Sequence, residues 1–248
     1  MKRKFGLIGY PLSHSFSRKF FSDKFSAEGI DAEYLNYEIQ NIGVLPQIIA
    51  MDHDLQGLNV TIPYKEQVIK LLDKVDEAAA EIKAVNTIKI IRNENQVSLE
   101  GYNTDIIGFR DSIKPLLQHY HHKALILGSG GASKAIIKVL TDLGIETIIV
   151  SRNPQYKGEI SYNDLDEDVL ENYKVIVNTT PIGTYPKIEG SPAIPFEFIN
   201  EQHLLYDLVY NPSLTEFLRQ GQLKGAAIKN GLEMLHLQAL ASWEIWNR

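Results

Sequence analysis

The stretch that decides the fold is KALILGSGGASKA, residues 123–135. An apolar strand at Ala124–Leu127 runs directly into a glycine-rich turn, and a helical pattern follows from Ser133. The turn consists of Gly128, Ser129, Gly130, Gly131 and Ala132. In such a unit the first glycine permits a tight turn, the second lets the backbone approach a pyrophosphate, and the helix N-terminus faces the anion. The third position of the G-x-G-x-x-G pattern is Ser133, so the stretch predicts a dinucleotide site of modified form.

The strand that follows, ETIIVSRN at residues 146–153, indicates which dinucleotide binds. Sites for NAD place an Asp or Glu about 20 residues beyond the glycines, where it holds the ribose 2′-hydroxyl. This chain has Ser151, Arg152 and Asn153 there. A guanidinium pairs with a 2′-phosphate that a carboxylate would repel. The alternative is a solvated arginine at a strand end, and the residues favour NADP.

Further apolar strands without alternation, at Val175–Val177 and Leu204–Leu208, predict a parallel sheet that is covered by helices on both faces. The first half of the chain also alternates strands and helices, including one long predicted helix over Lys65–Ala84 and a hairpin over residues 87–102. A last helix, Leu232–Trp246, is expected to return to the first domain. The fold class is therefore α/β with two domains, residues 1–103 plus 232–248 and residues 104–231.

The composition excludes several functional classes. Among 248 residues, 25 Lys and Arg face 31 Asp and Glu, a net charge of −6, and no basic block is present to bind nucleic acid. The absence of cysteine excludes disulfides, thiolate metal sites and thiol nucleophiles. The apolar runs are too short for a membrane span or a signal peptide, so a cytoplasmic protein is expected. His119, His121 and His122 lie in a polar linker and are expected to be solvated, and no metal is expected.

Polar side chains follow the predicted strands of the first half. They are Ser13, Ser15, Ser17, Thr61, Lys65, Asn86 and Asp105. Because ligands of open α/β sheets bind at the carboxyl ends of strands, this set predicts a site for a small polyhydroxylated ligand. The alternative for each residue is a turn or a helix cap, as Ser17 and Thr104 illustrate.

Nine segments of the chain occur in an order that resembles the shikimate dehydrogenase family over nearly the full length. They are GYPLSHSFS, GLNVTIPYK, AVNT, GYNTDIIGF, GSGGASKA, SRN, NTTPIGT, YDLVYNPSLTEFL and NGLEMLHLQA. The resemblance implies an N-terminal α/β substrate domain, a C-terminal Rossmann-type NADP domain and an active site in the cleft between them. The activity it implies is the reversible NADPH-dependent reduction of 3-dehydroshikimate to shikimate, a step of aromatic amino-acid biosynthesis.

The resemblance also assigns roles by position. It makes Lys65 and Asp105 the catalytic pair. The substrate would be held by Ser15, Ser17, Thr61, Lys65, Asn86, Asp105, Tyr210 and Gln238. The cofactor would be surrounded by Gly128, Ser129, Gly130, Gly131, Ala132, Ser151, Arg152, Asn153, Thr180, Leu208, Gly231 and Met234.

The chain departs from the family pattern away from the catalytic pair. Arg18 stands where a proline is usual, Lys83 where a glycine is common, and Ser151 where an asparagine precedes the arginine. A second basic residue for the 2′-phosphate would be Lys157. The alternatives are a paralogue that oxidises quinate or uses NAD, and a non-catalytic NADP-sensing protein of the same fold. Either a monomer or a homodimer is compatible with the sequence.

Overall fold

The computed structural model describes residues 2–12, 16–94, 96–155 and 158–248. It divides into two compact units, one comprising residues 1–104 and 239–248 and the other residues 105–238. The second boundary lies after Gln238, whereas the sequence placed it after residue 231. The difference arises because Met234 belongs to the hydrophobic core of the second unit.

The first unit is built on a mixed sheet. Its strands are β1 (Arg3–Gly9), β2 (Ala32–Glu38), β3 (Leu55–Val60), β4 (Lys74–Val75), β5 (Thr87–Asn93) and β6 (Gln96–Tyr102). Its helices are α1 (Phe16–Ala27), α2 (Leu45–Met51) and α3 (Glu77–Ile82), with 3-10 turns at Ile42–Val44 and Gln67–Leu71. The strand order is β2-β1-β3-β5-β6-β4. β1 is parallel to β2 and β3, while β5 is antiparallel to β3 and β6.

The last ten residues of the chain complete the core of the first unit. Trp243 and Trp246 pack with Phe5, which is fully buried, at ring-centroid distances of 5.3 and 4.8 Å. The Trp246 indole lies over Gly57, where an added Cβ would come within 2.3 Å of Nε1. Its Nε1–H donates to the Ile88 carbonyl at 2.9 Å. Gly57 is therefore required by the close approach of this indole.

The predicted helix over Lys65–Ala84 is wrong. The segment forms a turn, a 3-10 helix, the two-residue β4 and the short α3. Two aspartates interrupt it: Asp73 accepts a hydrogen bond from the Leu99 backbone N–H at 2.8 Å, and Asp76 caps α3 through Ala78 N. Lys83 directly follows α3 as its C-cap. Its φ of 53° lies in the left-handed region that a glycine adopts more readily. The departure from the family glycine therefore falls on a helix C-cap.

The second unit is built on a parallel sheet. Its strands are β7 (Lys123–Leu127), β8 (Glu146–Ser151), β9 (Glu159–Ser161), β10 (Val175–Asn178), β11 (Leu204–Asp207) and β12 (Ala227–Asn230). Its helices are α4 (Thr104–Ile113), α5 (Gly131–Asp142), α6 (Glu167–Asn172), α7 (Glu216–Leu223) and α8 (Leu232–Trp246), with α4 starting and α8 ending in the first unit. Short 3-10 turns lie at Lys114–Leu116, Tyr162–Asp164 and Phe196–Phe198. The strand order β12-β11-β10-β7-β8-β9 is that of a Rossmann fold. The predicted α/β class and Rossmann-type domain are confirmed.

The expectation that His121 is solvated is wrong. The side chain is 6% exposed, its Nδ1 accepts a hydrogen bond from Gln118 N, and its Nε2 lies 3.0 Å from the Gln202 carbonyl. His203 is held in the same way between Asn200 N and the Leu170 carbonyl. Burial lowers the pKa of both imidazoles. Both are therefore structural groups of the second unit.

Candidate functional site

The carboxyl end of β3 gathers several of the candidate substrate residues. Thr61 directly follows β3, is half-buried, and donates its backbone N–H to the Ile8 carbonyl of β1 at 2.9 Å. Ser17 lies in the first turn of α1. Ser15 and Ser13 fall outside the described residues.

Lys65 is tied to the neighbouring element by its backbone. Its carbonyl accepts a hydrogen bond from Val85 N at 2.8 Å, and Asn86 is the next residue. The Asn86 carbonyl in turn accepts from Val60 N at 2.8 Å, at the end of β3. The structure therefore brings Thr61, Lys65 and Asn86 to one edge of the first sheet. Lys65 lies in a turn before the 3-10 helix and not in the first turn of an α-helix.

The Asn86 side chain is fixed by its oxygen. Its Oδ1 accepts hydrogen bonds from the backbone N–H of Thr104 at 2.7 Å and from the hydroxyls of Thr104 and Thr87, each at 3.1 Å. Asn86 is 3% exposed, and its Nδ2 donates to no residue in the described part of the chain. The amide N–H groups are therefore available to a ligand.

The remaining candidate substrate residues belong to the second unit. Asp105 is half-buried in the first turn of α4. Gln238 of α8 is 8% exposed and donates from Nε2 to the Leu235 carbonyl, while Tyr210 is 39% exposed after β11. Gly108 lets α4 and α8 approach closely, since an added Cβ would lie 2.5 Å from the Met234 carbonyl oxygen.

The glycine-rich turn lies between β7 and α5. Gly128 has a φ of 103°, and an added Cβ would lie 2.7 Å from Thr180 Cγ2, so the packing of the protein itself requires glycine there. At Gly130 and Gly131 an added Cβ would meet no atom within 4 Å. Since no packing inside the protein explains the absence of side chains there, the open space suits the close approach of a ligand. Ser129 lies in the same turn, whereas Ala132 lies in the first turn of α5, which carries no acidic residue.

The residues after β8 show no carboxylate. Ser151 ends the strand, and its hydroxyl accepts a hydrogen bond from Asn153 N at 3.3 Å. Arg152 is exposed, and its charge acts on the nearby Tyr162, whose pKa is raised by burial and lowered in part by Arg152. Lys157 falls outside the described residues.

Residues 7–88 match the model of the shikimate dehydrogenase substrate-binding domain. A shikimate dehydrogenase (NADP(+)) of Halothermothrix orenii is 38% identical over 97% of this chain and 89% of its own length. The chain belongs to the shikimate dehydrogenase family. Among solved structures, shikimate dehydrogenase 1 from Peptoclostridium difficile is 39% identical, with a TM-score of 0.80 and coverage of 99% of this chain and 91% of its own.

A second solved relative in the shikimate dehydrogenase family carries ligands. It is the Thermus thermophilus enzyme in complex with NADP(H) and shikimate, 30% identical, with a TM-score of 0.84 and coverage of 98% of this chain and 93% of its own. Within the described residues no cluster of side chains suits a metal ion, and no helix there is long and apolar enough to cross a membrane.

The sequence did not indicate a functional role for one buried aspartate in the second unit. Asp207, at the end of β11, is fully buried and accepts hydrogen bonds from Thr215 Oγ1 at 2.6 Å, Asn178 Nδ2 at 2.9 Å and Val209 N at 3.0 Å. Burial raises its pKa to about 6. Asn178 Oδ1 also accepts from the backbone and hydroxyl of Thr180. Asp207 thus organises the strand ends that carry Thr180, Leu208 and Gly231.

A buried polar cluster in the first unit was also missed. It comprises Tyr34, Asn59, Thr87, Thr104 and Ser242, of which the last three are fully buried. Asn59 Nδ2 lies 2.9 Å from Ser242 Oγ, and Ser242 Oγ lies 2.8 Å from Thr87 Oγ1. The Tyr34 hydroxyl donates to Asn59 Oδ1 at 2.8 Å and is also hydrogen-bonded to Ser17. The available signal was Asn59, a polar residue between the buried Leu58 and Val60 of β3.

Proposed function

We propose that the protein catalyses the reversible, NADPH-dependent reduction of 3-dehydroshikimate to shikimate. The proposal rests on the positions of Thr61, Lys65 and Asn86. Backbone hydrogen bonds hold these residues together at the carboxyl end of β3. This arrangement occurs in a chain that aligns over 97–99% of its length with relatives named shikimate dehydrogenase (NADP(+)). A lysine, a hydroxyl and an amide at one sheet edge suit a small oxygen-rich substrate.

The second unit fits NADP. The open positions at Gly130 and Gly131 and the N-terminus of the twelve-residue α5 would receive the phosphates. Arg152 would pair with the 2′-phosphate, since no carboxylate lies at residues 151–153. The cofactor would also contact Ser129, Ala132, Ser151, Asn153, Thr180, Leu208, Gly231 and Met234. Gly128, which directly follows β7 and has a φ of 103°, forms the tight turn that leads into the proposed NADP site.

The substrate would be held by hydrogen-bonding side chains. They are Ser15, Ser17, Thr61, Asn86, Tyr210 and Gln238. The hydroxyl and amide N–H groups in this set can donate to the carboxylate and hydroxyl oxygens of shikimate.

The proton chemistry is assigned to Lys65 and Asp105. NADPH, when bound, supplies the hydride that reduces the carbonyl carbon. Negative charge then develops on the carbonyl oxygen, and the Lys65 ammonium stabilises that charge and donates a proton to it. Asp105, the second member of the proposed catalytic pair, would orient the substrate hydroxyl by accepting its hydrogen bond. In the oxidative direction Lys65 takes the proton back from the hydroxyl.

The activity is tested by the change in NADPH absorbance with 3-dehydroshikimate, and by the reverse assay with shikimate. Parallel assays contain quinate or NAD. We expect the highest kcat/KM with shikimate and NADP. A protein that binds NADP but turns over neither shikimate nor quinate would support the sensing alternative, and higher kcat/KM with quinate or NAD would support the paralogue.

The role of Lys65 is tested by Lys65→Met, which keeps the apolar stem and removes the charge. We expect kcat to fall by about 10²–10⁴-fold, the usual worth of a positioned acid–base group, with little change in the Kd for NADPH. Lys70→Met is the matched control, because Lys70 is an exposed lysine of the following 3-10 helix and is not a candidate site residue. A Lys65→Met variant that keeps more than about a tenth of the wild-type kcat contradicts the assignment.

The role of Arg152 is tested by Arg152→Ala. We expect the KM for NADP to rise roughly ten- to a hundredfold, the worth of one charge-assisted hydrogen-bonded pair, with little change for NAD. Steady-state kinetics with both cofactors provide the measurement. Equal losses for the two cofactors would mean that Arg152 does not contact the 2′-phosphate.

A further inference from the structure

The Asn86 amide has a fixed polarity. Three donors face its Oδ1, and one of them is the Thr104 backbone N–H at 2.7 Å, which cannot accept a hydrogen bond. A flipped amide would point its own N–H groups at this N–H. The amide oxygen is therefore fixed inward, and the side chain presents hydrogen-bond donors to a ligand.

The groups that fix this polarity have no access to a ligand. Thr87 and Ser242 are each fully buried, and their hydroxyl oxygens lie 2.8 Å apart. Thr87 Oγ1 lies 3.1 Å from Asn86 Oδ1, and Ser242 Oγ lies 3.2 Å from the Thr104 hydroxyl. Asn59 Nδ2 donates into the same group, to the Asn86 carbonyl at 3.3 Å and Ser242 Oγ at 2.9 Å. Asn86 is the candidate substrate residue that Thr87 contacts directly, so we expect these hydroxyls to act on binding through Asn86.

We propose that Thr87 and Ser242 are positioning residues that hold Asn86 as a hydrogen-bond donor to an oxygen of the substrate. The inference rests on the proposed function, because it takes shikimate as the ligand of Asn86. It adds a specificity rule: the substrate group at this position must accept a hydrogen bond, as a hydroxyl or carbonyl oxygen does and an ammonium group does not. Ser242 of α8 thus contributes to substrate recognition without itself contacting the substrate.

Two substitutions at Thr87 separate hydrogen bonding from packing. Thr87→Val keeps the volume and removes the hydroxyl, whereas Thr87→Ser keeps the hydroxyl and removes a methyl group. We expect Thr87→Val to raise the KM for shikimate roughly three- to tenfold, the worth of one hydrogen bond, with kcat and the KM for NADP within about twofold of wild type. Thr87→Ser should restore the shikimate KM to near the wild-type value.

A double-mutant cycle tests whether the effect passes through Asn86. In an Asn86→Ala background, Thr87→Val should add nothing to the shikimate KM, because the group that it positions is absent. Ser242→Ala is the independent variant if Thr87→Val does not fold, and it should give a smaller rise of the same kind. Ser112→Ala is the matched control: Ser112 is 2% exposed and is hydrogen-bonded to the Phe109 carbonyl and the Tyr206 hydroxyl, outside the buried polar cluster.

The outcomes distinguish this inference from the proposed function. A wild-type protein that does not turn over shikimate refutes the function itself. With an active wild type, a Thr87→Ser variant as impaired as Thr87→Val shows a packing role and overturns the inference. Unchanged shikimate KM in Thr87→Val and Ser242→Ala, or equal losses for shikimate and NADP, also overturns it. So does an additive effect of Thr87→Val in the Asn86→Ala background.

Discussion

Replacing Asp207 by Asn should change how stability depends on pH. Burial raises the pKa of this carboxyl from its ordinary 3.8 to about 6, although three hydrogen bonds partly offset that cost. The folded protein therefore binds the proton more tightly than the unfolded chain, and ionisation of Asp207 destabilises the fold as pH rises. A difference of about 2.2 pKa units at roughly 1.36 kcal/mol per unit gives about 3 kcal/mol in full.

About half of this contribution to the unfolding free energy, roughly 1.5 kcal/mol, is lost as the pH rises from 5 to 8. The assay is urea unfolding of the wild type and Asp207→Asn at several pH values in this window. The wild-type unfolding free energy minus that of the variant should fall by this amount as pH rises. All other titrating groups are common to both proteins and cancel in the difference.

A difference in unfolding free energy that stays flat from pH 5 to pH 8 would refute the reasoning. It would mean that the hydrogen bonds from Thr215, Asn178 and Val209 fully compensate for burial of the charge. A difference that rises with pH would mean that these donors overcompensate. The pH-independent part of the difference in unfolding free energy does not report on ionisation. It also contains the effect of replacing one acceptor oxygen of Asp207 by the NH2 donor of asparagine.

Three further predictions concern the stability effects of substitutions at Gly231, Lys83 and His203. Gly231→Ala places a Cβ about 2.1 Å from the Leu208 carbonyl oxygen, so it should cost roughly 1–3 kcal/mol of unfolding free energy and weaken NADP binding, as measured by denaturation and titration. Lys83→Gly removes the side chain from a residue in the left-handed region, where glycine has no steric cost. It should raise the unfolding free energy by up to about 1 kcal/mol in the same denaturation assay. Because burial lowers the pKa of His121 and His203, their contribution to stability is lost as pH falls below 6.5; the wild-type unfolding free energy minus that of His203→Asn should therefore drop from pH 7.5 to pH 5.

The sequence predicts the Rossmann-type unit well because its elements are strongly patterned. β7 and β10 are largely apolar, and Gly128, whose φ is 103°, stands in the turn directly after β7. The short edge strands β9 and β12 were not predicted, since Glu159–Ser161 and Ala227–Asn230 lack apolar runs. Their pairing depends on the neighbouring strand and not on local pattern.

The first unit was harder to predict where tertiary contacts override periodicity. The apolar residues between 68 and 82 have helical spacing, yet Asp73 and Asp76 bind β6 and cap α3 instead. The strand-end pattern indicated most of the candidate substrate residues, and the motif resemblance assigned their roles and added Tyr210 and Gln238. The buried polar cluster joins Asn59 to Ser242, 183 positions apart, and no local pattern in the chain indicates such a pair.

The position of Trp243 and Trp246 has a consequence for biosynthesis. The rings that cover Phe5 and Gly57 are synthesised after the whole second unit, so one apolar face of the first sheet stays uncovered while the second unit is translated. The second unit can close its own core from contiguous residues during that time. The second unit can therefore complete its core before the first unit does, and the uncovered apolar face of the first sheet is open to aggregation during that interval.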